Sequence, residues 1–351
     1  MKLHFLDHPW MDQTFYKTGS FISSDDGEAV IFCKGGEVRE EKSGTDLRDV
    51  TFIKKFFTDE YLVHVPEEKL KLSLSEIRKC VRSFLPSDFT LRTEANQDEV
   101  FRQDFNRLKP LIPSALSKAV LLSREEYSSS DHELLKKNII ARAFELPQGR
   151  PYGFWHEQSG IVGCTPETLF EVRDGVLTSE ALAGTAKLGH EVDLLHSAKD
   201  RGEHDFVIRD ISEKLRSLDL EVSIGETVTK AFSQIIHLKT PVTANLKQPL
   251  NLMKLAARLT PTAALGGYPA KQSMNFLETM DYSKIFPDRI FGSVIGHLSS
   301  NSVALVMIRN LQWEQETFII ESGVGVVSNS ELSQELTELK MKREVVRSHY
   351  L

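Results

Sequence analysis

Four acidic residues are spaced so that they could bind a metal ion. Asp200 and Glu203 lie three positions apart in one predicted helix, and Glu335 and Glu338 repeat this spacing in the last predicted helix. Residues three apart share a helical face, so each pair projects two carboxylates together. Converging carboxylates repel one another unless a cation joins them, and Mg²⁺ prefers such oxygens. Because the same spacing more often marks a solvated acidic face, it does not decide between the two interpretations.

Five short motifs carry more information than the acids alone. They are Thr165 to Glu167, Leu182 to Thr185, Lys199 to His204, Pro261 to Gly267 and Ser322 to Val327. In these motifs the sequence resembles the chorismate-utilising enzymes, which comprise isochorismate synthases, salicylate synthases, anthranilate synthase large subunits and aminodeoxychorismate synthases. The motifs occur in the family's order, the resemblance spans roughly residues 116–346, and the motifs are highly specific only in combination.

The resemblance assigns roles to the acids. It implies that Glu203 and Glu338 bind Mg²⁺ directly, while Asp200 and Glu335 hold waters or support these ligands. It also implies that Glu167 is the general acid that protonates the departing C4 hydroxyl of chorismate. An ionised carboxylate cannot donate a proton, so burial or neighbouring negative charge would have to raise the pKa of Glu167. Without the motifs, a glutamate after a proline would be interpreted as an exposed loop residue.

The resemblance also assigns a set of substrate contacts. Arg309 resembles an arginine that binds a substrate carboxylate, which suits its planar guanidinium. Taken alone, an arginine at a strand end is usually exposed, and a histidine with apolar neighbours, such as His237, is usually a core residue. The implied contacts are Ala183, Gly184, Thr185, His237, Ala264, Arg309, Ser322, Gly323, Gly325 and Lys342.

Three of these contacts concern a second substrate carboxylate. Gly323 and Gly325 would let backbone amides approach it closely, because glycine has no Cβ. Lys342 lies one helical turn beyond Glu338, so it can reach the same anion or pair with Glu338.

Identification of the catalytic base depends on the register of one predicted strand. In isochorismate and salicylate synthases, a lysine that precedes a strand activates the water that attacks C2. Here the strand is one residue longer than in those enzymes. If the sequences are aligned on Ser123 and Arg124, Ala119 falls at the position of the family's lysine. Lys118 would then point to the opposite face of the strand. Either the base is missing, or a one-residue bulge returns Lys118 to the pocket. We predict the bulge, because bulges are common beside active sites.

Departures from other branches of the family favour water as the nucleophile. Ala183 occupies the position at which aminodeoxychorismate synthases have a nucleophilic lysine, and Leu265 to Pro269 lacks their Gly-Ala-Pro-Lys turn. The resemblance therefore implies a Mg²⁺-dependent isochorismate synthase, an isomerase, with no glutamine amidotransferase partner. Salicylate synthase, an anthranilate or aminodeoxychorismate synthase component, and an inactive chorismate-binding relative remain alternatives. The product could serve menaquinone or siderophore biosynthesis.

Composition narrows the class of protein. The 351 residues carry a net charge of −7 and show no basic stripe, which argues against nucleic-acid binding. No run of about 18 apolar residues suggests a membrane span. The three cysteines are far apart, and Asp7 and Pro9 interrupt any signal-peptide-like segment. We therefore expect a cytoplasmic enzyme that is a monomer or weak dimer.

The elements that position these residues indicate an α+β fold, because strands in hairpins accompany separate helices. The resemblance implies antiparallel β-sheets packed as a sandwich and flanked by helices. We predict a single domain over residues 1–351, with a divergent N-terminal part (1–110) and a catalytic part (111–351). Predicted strands are 29–33, 61–65, 119–122, 169–172, 176–178, 291–298, 303–309 and 317–327; predicted helices are 74–84, 131–146, 192–215 and one that starts near Ser330.

Overall fold

The computed structural model describes residues 8–81, 90–146, 148–232 and 235–351. In these ranges the chain forms two large antiparallel sheets and a set of helices, which confirms the predicted α+β class. The strands are β1 (Thr18–Ser23), β2 (Ala29–Lys34), β3 (Glu37–Lys42), β4 (Val50–Lys54), β5 (Glu60–Val65), β6 (Glu68–Ser73), β7 (Leu91–Asn96), β8 (Lys118–Ser129), β9 (Arg150–His156), β10 (Ser159–Thr165), β11 (Thr168–Arg173), β12 (Val176–Lys187), β13 (Val222–Ile224), β14 (Val228–Phe232), β15 (Ile235–Asn245), β16 (Gly267–Tyr268), β17 (Val294–Leu298), β18 (Ser302–Val306), β19 (Asn310–Glu314) and β20 (Thr317–Val326).

The helices accompany these sheets, and the sixth and the last of them carry the two predicted acidic pairs. They are α1 (Gln13–Lys17), α2 (Leu74–Val81), α3 (Asp98–Leu108), α4 (His132–Arg142), α5 (Glu191–His196), α6 (Ala198–Arg216), α7 (Leu252–Leu259), α8 (Ala270–Glu278), α9 (Asp281–Ile285) and α10 (Leu332–Tyr350), with a 3₁₀ turn at Lys109–Leu111. Within the described ranges, none of the helices is long and apolar enough to cross a membrane.

Each sheet contains strands from both ends of the chain. The first sheet has the order β16-β8-β20-β19-β10-β9-β1-β2-β6, with β7 also paired to β8. The second has the order β13-β15-β12-β11-β18-β17-β4-β5-β3, with β14 also paired to β15. The division at about residue 110 remains a prediction, although strands from before that point are present in both sheets.

Apolar side chains from both sheets meet in the interior. Ile22 and Phe154 of the first sheet lie in one buried cluster with Ile53 and Ile295 of the second. Strand β8 separates two further clusters: Val120 and Leu122 face the second sheet and α6, whereas Ala119 and Leu121 face α3, α8 and α10. The alternation follows from the two-residue period of a strand.

Two predicted helices differ from the observed ones. The predicted helix 192–215 is interrupted at Ser197, whose backbone is extended and whose hydroxyl accepts a hydrogen bond from the Asp200 amide, so that α6 begins there. This serine cap competes locally with continuation of the helix. The predicted helix 131–146 is shorter, because α4 ends at Arg142. Its expected terminator, Pro147, and the last predicted residue of α2, Phe84, lie outside the described residues.

The C-terminal region contains one more strand than expected. The segment predicted as strand 303–309 ends at Val306 as β18, and β19 follows after a turn that contains Arg309. Arg309 has a φ of 55°, a left-handed conformation that ends the strand direction. At the start of α10, Ser330 does not cap the helix as predicted; its hydroxyl accepts from the amide of Val327, and Glu331 precedes the first helical residue.

A tight turn closes the hairpin of β11 and β12. Asp174 and Gly175 connect β11 to β12 with φ values of 50° and 75°. Positive φ at both central residues is typical of a type I′ turn, which matches the twist of an antiparallel pair.

Two glycines with open surroundings should respond oppositely to substitution. A Cβ at Gly175 would lie 3.9 Å from the carbonyl oxygen of Leu246, and one at Gly202 in α6 would have no neighbour within 4 Å among the described residues, apart from the backbone of its own helix. Gly175→Ala should therefore lower the free energy of unfolding by about 1 kcal/mol, through its left-handed backbone alone. Gly202→Ala should raise it by about 0.5–1 kcal/mol, because alanine favours helix. Urea unfolding of both variants measures the difference; equal signs would contradict this assignment of the two backbones.

Candidate active site

A small cavity lies where β12, β15 and β20 meet helices α6 and α10. Its volume is about 70 Å³. Twelve of the residues predicted from the sequence line it: Glu167, Ala183, Gly184, Thr185, Glu203, His237, Ala264, Arg309, Gly323, Gly325, Glu338 and Lys342. Asp200, Glu335 and Ser322 were also predicted, but they do not contribute to its lining. The fold thus brings residues from Glu167 to Lys342 of the sequence together at one place.

Apolar residues complete the wall. Leu182 and Leu265 belong to motifs recognised in the sequence, whereas Phe291 and Ile308 were not singled out. Phe291 begins a segment predicted as strand, and Ile308 precedes Arg309 in the turn. These two residues reach the cavity through tertiary packing. Their apolar character alone did not distinguish them in the sequence from other core residues.

Lys118 lies beside the cavity and is fully buried. Its Nζ is 2.7 Å from Glu203 Oε1. The predicted bulge is wrong, because β8 pairs with β20 in one continuous register from Ala119 to Tyr127. Lys118 and Val120 are two residues apart in β8, so their side chains project from the same face of the strand, toward the core shared with α6. Gly325 leaves the room for it, since a Cβ there would lie 2.4 Å from Lys118 Cε.

The backbone of Lys118 is also held from the neighbouring segment. Its carbonyl accepts a hydrogen bond of 2.9 Å from the Ser273 hydroxyl, and Tyr268 of β16 pairs with it. A Cβ at Gly267 would lie 2.3 Å from this carbonyl, so the close approach requires glycine. These contacts fix where the lysine side chain enters the site.

The other acids are paired in similar ways. Lys342 Nζ lies 2.6 Å from Glu338 Oε1 and donates to the Gly323 carbonyl at 2.8 Å. Lys199 Nζ lies 3.3 Å from Glu335 Oε1, and the Ser197 hydroxyl donates to Asp200.

The pairing partners decide the pKa shifts of these carboxylates. Burial is the largest influence and opposes ionisation of Glu203, but the charge and hydrogen bond of Lys118, together with the charges of Lys342 and Lys199, hold the pKa of Glu203 below its ordinary value. Burial raises the pKa of Asp200, and burial together with the charge of Glu338 raises that of Glu335. Glu203 is therefore the acid most firmly held as a carboxylate.

A magnesium ion has suitable donors here, although they are engaged with lysines. Glu203 and Glu338 line the same cavity and offer hard oxygen ligands. Among the described residues, however, no three His, Cys, Asp or Glu side chains are grouped to hold a metal as they stand. An ammonium group occupies the position next to each of these two carboxylates. The donor chemistry fits magnesium, and binding would require both carboxylates to turn from their lysines.

Glu167 is held protonated by its surroundings. It is 2% exposed, and its Oε1 has no hydrogen-bond partner in the described part of the chain. Burial raises the pKa of Glu167 to about 8, against the opposing charge of Lys118. At neutral pH the group therefore carries a proton that it can donate into the cavity.

His237 is neutral and offers an acceptor. Its Nδ1 lies 2.9 Å from the carbonyl of Gly184, which requires Nδ1 to carry the proton. Burial, with the charge of Arg309, lowers the pKa of His237 to about 3. Nε2 is thus an unprotonated acceptor, and no partner for it is present among the described residues. A ligand hydroxyl would satisfy this buried atom.

Arg309 brings a buried positive charge to the same wall. It is 6% exposed, and its Nε has no hydrogen-bond partner within the described ranges. Burial lowers the pKa of Arg309 to about 10, while Glu338 and Glu167 favour its charge. The guanidinium therefore stays protonated at neutral pH and can bind an anion through a free donor.

Comparisons with known proteins identify relatives of this chain. The chain is 27% identical to isochorismate synthase MenF of Haemophilus influenzae over 272 residues, which are 74% of this chain and 63% of that protein. It is 30% identical to the salicylate biosynthesis isochorismate synthase of Pseudomonas aeruginosa over 201 residues, 53% of this chain and 41% of that protein. The chain thus matches less than two thirds of the length of each relative.

Solved structures share the fold. The putative 2,3-dihydroxybenzoate-specific isochorismate synthase DhbC of Bacillus anthracis superimposes with a TM-score of 0.77 at 21% identity, covering 95% of this chain and 96% of that one. Menaquinone-specific MenF of Escherichia coli gives 0.79 at 18% identity, covering 95% and 89%. The family described as chorismate binding enzyme matches residues 55–349. That match covers most of the sequence and the whole of the cavity, and the chain belongs to the chorismate-binding enzyme family.

Proposed function

We propose that this protein is an isochorismate synthase, which adds water at C2 of chorismate and releases the C4 hydroxyl. One observation carries the proposal: a protonated, buried Glu167 shares one cavity with unpartnered donor and acceptor atoms of Arg309 and His237. An acid, an anion-binding group and a hydroxyl acceptor are the functions that this reaction requires. The names of the two isochorismate synthase relatives support the choice within the family.

Each residue of the site has its own role in substrate binding or proton transfer. Arg309 binds a substrate carboxylate, and the neutral His237 Nε2 accepts from a substrate hydroxyl. Lys118, in its neutral form, takes a proton from water as the new C2–O bond forms. The double bonds shift, the C4–O bond breaks, and Glu167 gives its proton to the departing oxygen, which leaves as water. One water enters and one leaves, so the net change is an isomerisation.

Lys118 must change its contacts during this sequence. Its Nζ lies 2.7 Å from Glu203 Oε1, and a lysine that pairs with a carboxylate as an ammonium group has no lone pair with which to accept a proton. Glu203 therefore has to turn away from Lys118 before water is deprotonated. The cavity must also widen, since ligand pockets usually measure roughly 300–1,000 Å³ and this one measures about 70 Å³. Opening the Lys118–Glu203 and Lys342–Glu338 pairs would provide both changes.

We further propose that Glu203 and Glu338 bind Mg²⁺ once these pairs open, with Asp200 and Glu335 as outer supports. The ion would supply positive charge that orients the ring carboxylate of the substrate. Both carboxylates lie on helices that face the same cavity, which supports this assignment.

Product analysis tests the reaction. The protein with chorismate and Mg²⁺ should form isochorismate alone, and Lys118→Ala should abolish turnover while chorismate binding and the folded state remain. Chromatography of the products and titration calorimetry provide the two measurements. Salicylate with pyruvate would identify a salicylate synthase, and anthranilate formed with ammonium would identify another branch. Either product would overturn the proposal, as would binding without any turnover by the unmodified protein.

Substitutions of the four acids should reduce Mg²⁺-dependent turnover to different degrees, depending on whether the acid binds the ion directly or supports a ligand. Glu203→Gln and Glu338→Gln should abolish Mg²⁺-dependent turnover, whereas Asp200→Asn and Glu335→Gln should weaken the apparent Mg²⁺ affinity by about 10–100-fold. Glu344→Gln is the matched control, because this exposed carboxylate on α10 pairs with Arg347 away from the cavity. Steady-state rates over a range of Mg²⁺ concentrations give the answer. Turnover without divalent ions, or an active Glu203→Gln, would contradict the metal assignment.

A further inference from the structure

Three charged residues form a cluster next to the turn that carries Glu167. Glu180 on β12 lies 2.9 Å from Lys230 Nζ on β14 and 2.5 Å from Lys239 Nζ on β15. The side chain of Glu180 is 14% exposed, so the cluster is largely shielded from water. None of the three lines the active-site cavity. The reaction as described above therefore gives them no role.

Lys230 connects this cluster to the general acid. Its Nζ donates a 2.6 Å hydrogen bond to the carbonyl of Pro166, the residue before Glu167. On the other side, the carbonyl of Glu167 accepts a 3.1 Å bond from the amide of Val306. The backbone is thus held immediately before and after the acid. Lys239, in contrast, pairs with Glu180 and forms no hydrogen bond or ion pair with this turn in the part of the chain that the structure describes.

Charges of both signs surround Glu167. Lys118 from β8, Lys230 from β14 and Arg309 from the turn after β18 oppose its protonated form, and Glu180 from β12 favours it. Burial is the largest influence and brings its pKa to about 8. The remaining charged groups of the cavity are Glu203 on α6 and Glu338 and Lys342 on α10, and His237 on β15 is neutral. Glu180 and Lys230 therefore act on Glu167 with opposite signs.

We propose that Glu180 and Lys230 are positioning residues for Glu167: Lys230 fixes the Pro166 carbonyl, Glu180 holds Lys230 in place, and the two charges act on the acid with opposite signs. The inference rests on the proposed role of Glu167 as general acid. Its physical basis is a hydrogen bond and an ion pair of 2.6 and 2.9 Å. A misplaced acid loses rate steeply, because proton transfer needs hydrogen-bond distance to the leaving oxygen.

The two residues should shift the pH dependence in opposite directions. A general acid is active while protonated, so kcat/KM falls as pH rises through the pKa of Glu167. Glu180→Gln removes a negative charge, which lowers that pKa and moves the fall to lower pH. Lys230→Met removes a positive charge and moves it to higher pH. We expect shifts of roughly half a pH unit or more.

The variants also differ in rate. Lys230→Met should lower kcat about tenfold with little change in KM, since the acid is misplaced but substrate contacts remain. Lys230→Arg should restore most of kcat, because it retains the charge and a donor. Lys239→Met is the matched control: it removes the other cation of Glu180 and leaves the Pro166 bond, so kcat should stay within about twofold.

A spectroscopic titration keeps this test independent of turnover. Infrared difference spectra against Glu167→Gln isolate the protonated carboxyl band of Glu167, and its loss with pH can be followed in each variant. Opposite displacements of this titration in Glu180→Gln and Lys230→Met support the inference. Displacements in the same direction, or unchanged titrations with an unchanged kcat, would overturn it. Absence of isochorismate with the unmodified protein would instead reject the proposed function, whatever the band shows.

Discussion

The contact between Lys118 and Glu203 joins the two halves of the site. Lys118 is fully buried, whereas the Glu203 side chain is 15% exposed, and an unpaired charge at the buried lysine would cost several kcal/mol. Their separation of 2.7 Å lets each stabilise the other, and Gly325 leaves the space between the strand and the helix. A ligand that enters must replace this attraction with contacts of its own. The cavity is consequently small, and under the proposed function substrate and cation would compete for the same groups.

The sandwich explains how distant segments can be held this closely. Strand β8 contributes Lys118 and pairs with β20, while α10 packs over the same strands through a buried arginine. Arg343 donates to Glu125, Ser322 and Asp98, which belong to β8, β20 and α3. A buried ionic network of this kind favours one orientation over others more than it adds stability. It fixes the rotation of α10, and so the direction of its acids.

Features that depend on the local sequence were predictable, whereas features that depend on tertiary contacts were not. The turn at Asp174 and Gly175 follows from residue type, because few residues accept positive φ. Ser197 breaks the predicted long helix through its own hydroxyl, and Arg309 ends a strand with a backbone conformation uncommon for arginine. The family resemblance named most residues that meet at the cavity, but the alignment misplaced Lys118. Its position depends on the register of β8 against β20, which no short motif encodes.

The central claim is that carboxylates of α6 and α10 close around one divalent ion together with the substrate. A crystal structure with Mn²⁺ and chorismate, recorded at an energy where manganese scatters anomalously, tests this claim most directly. The account predicts a single anomalous peak between Glu203 and Glu338, with a substrate carboxylate as a further ligand. Chorismate bound in the cavity without a peak there, or a peak ligated by other residues, would contradict it.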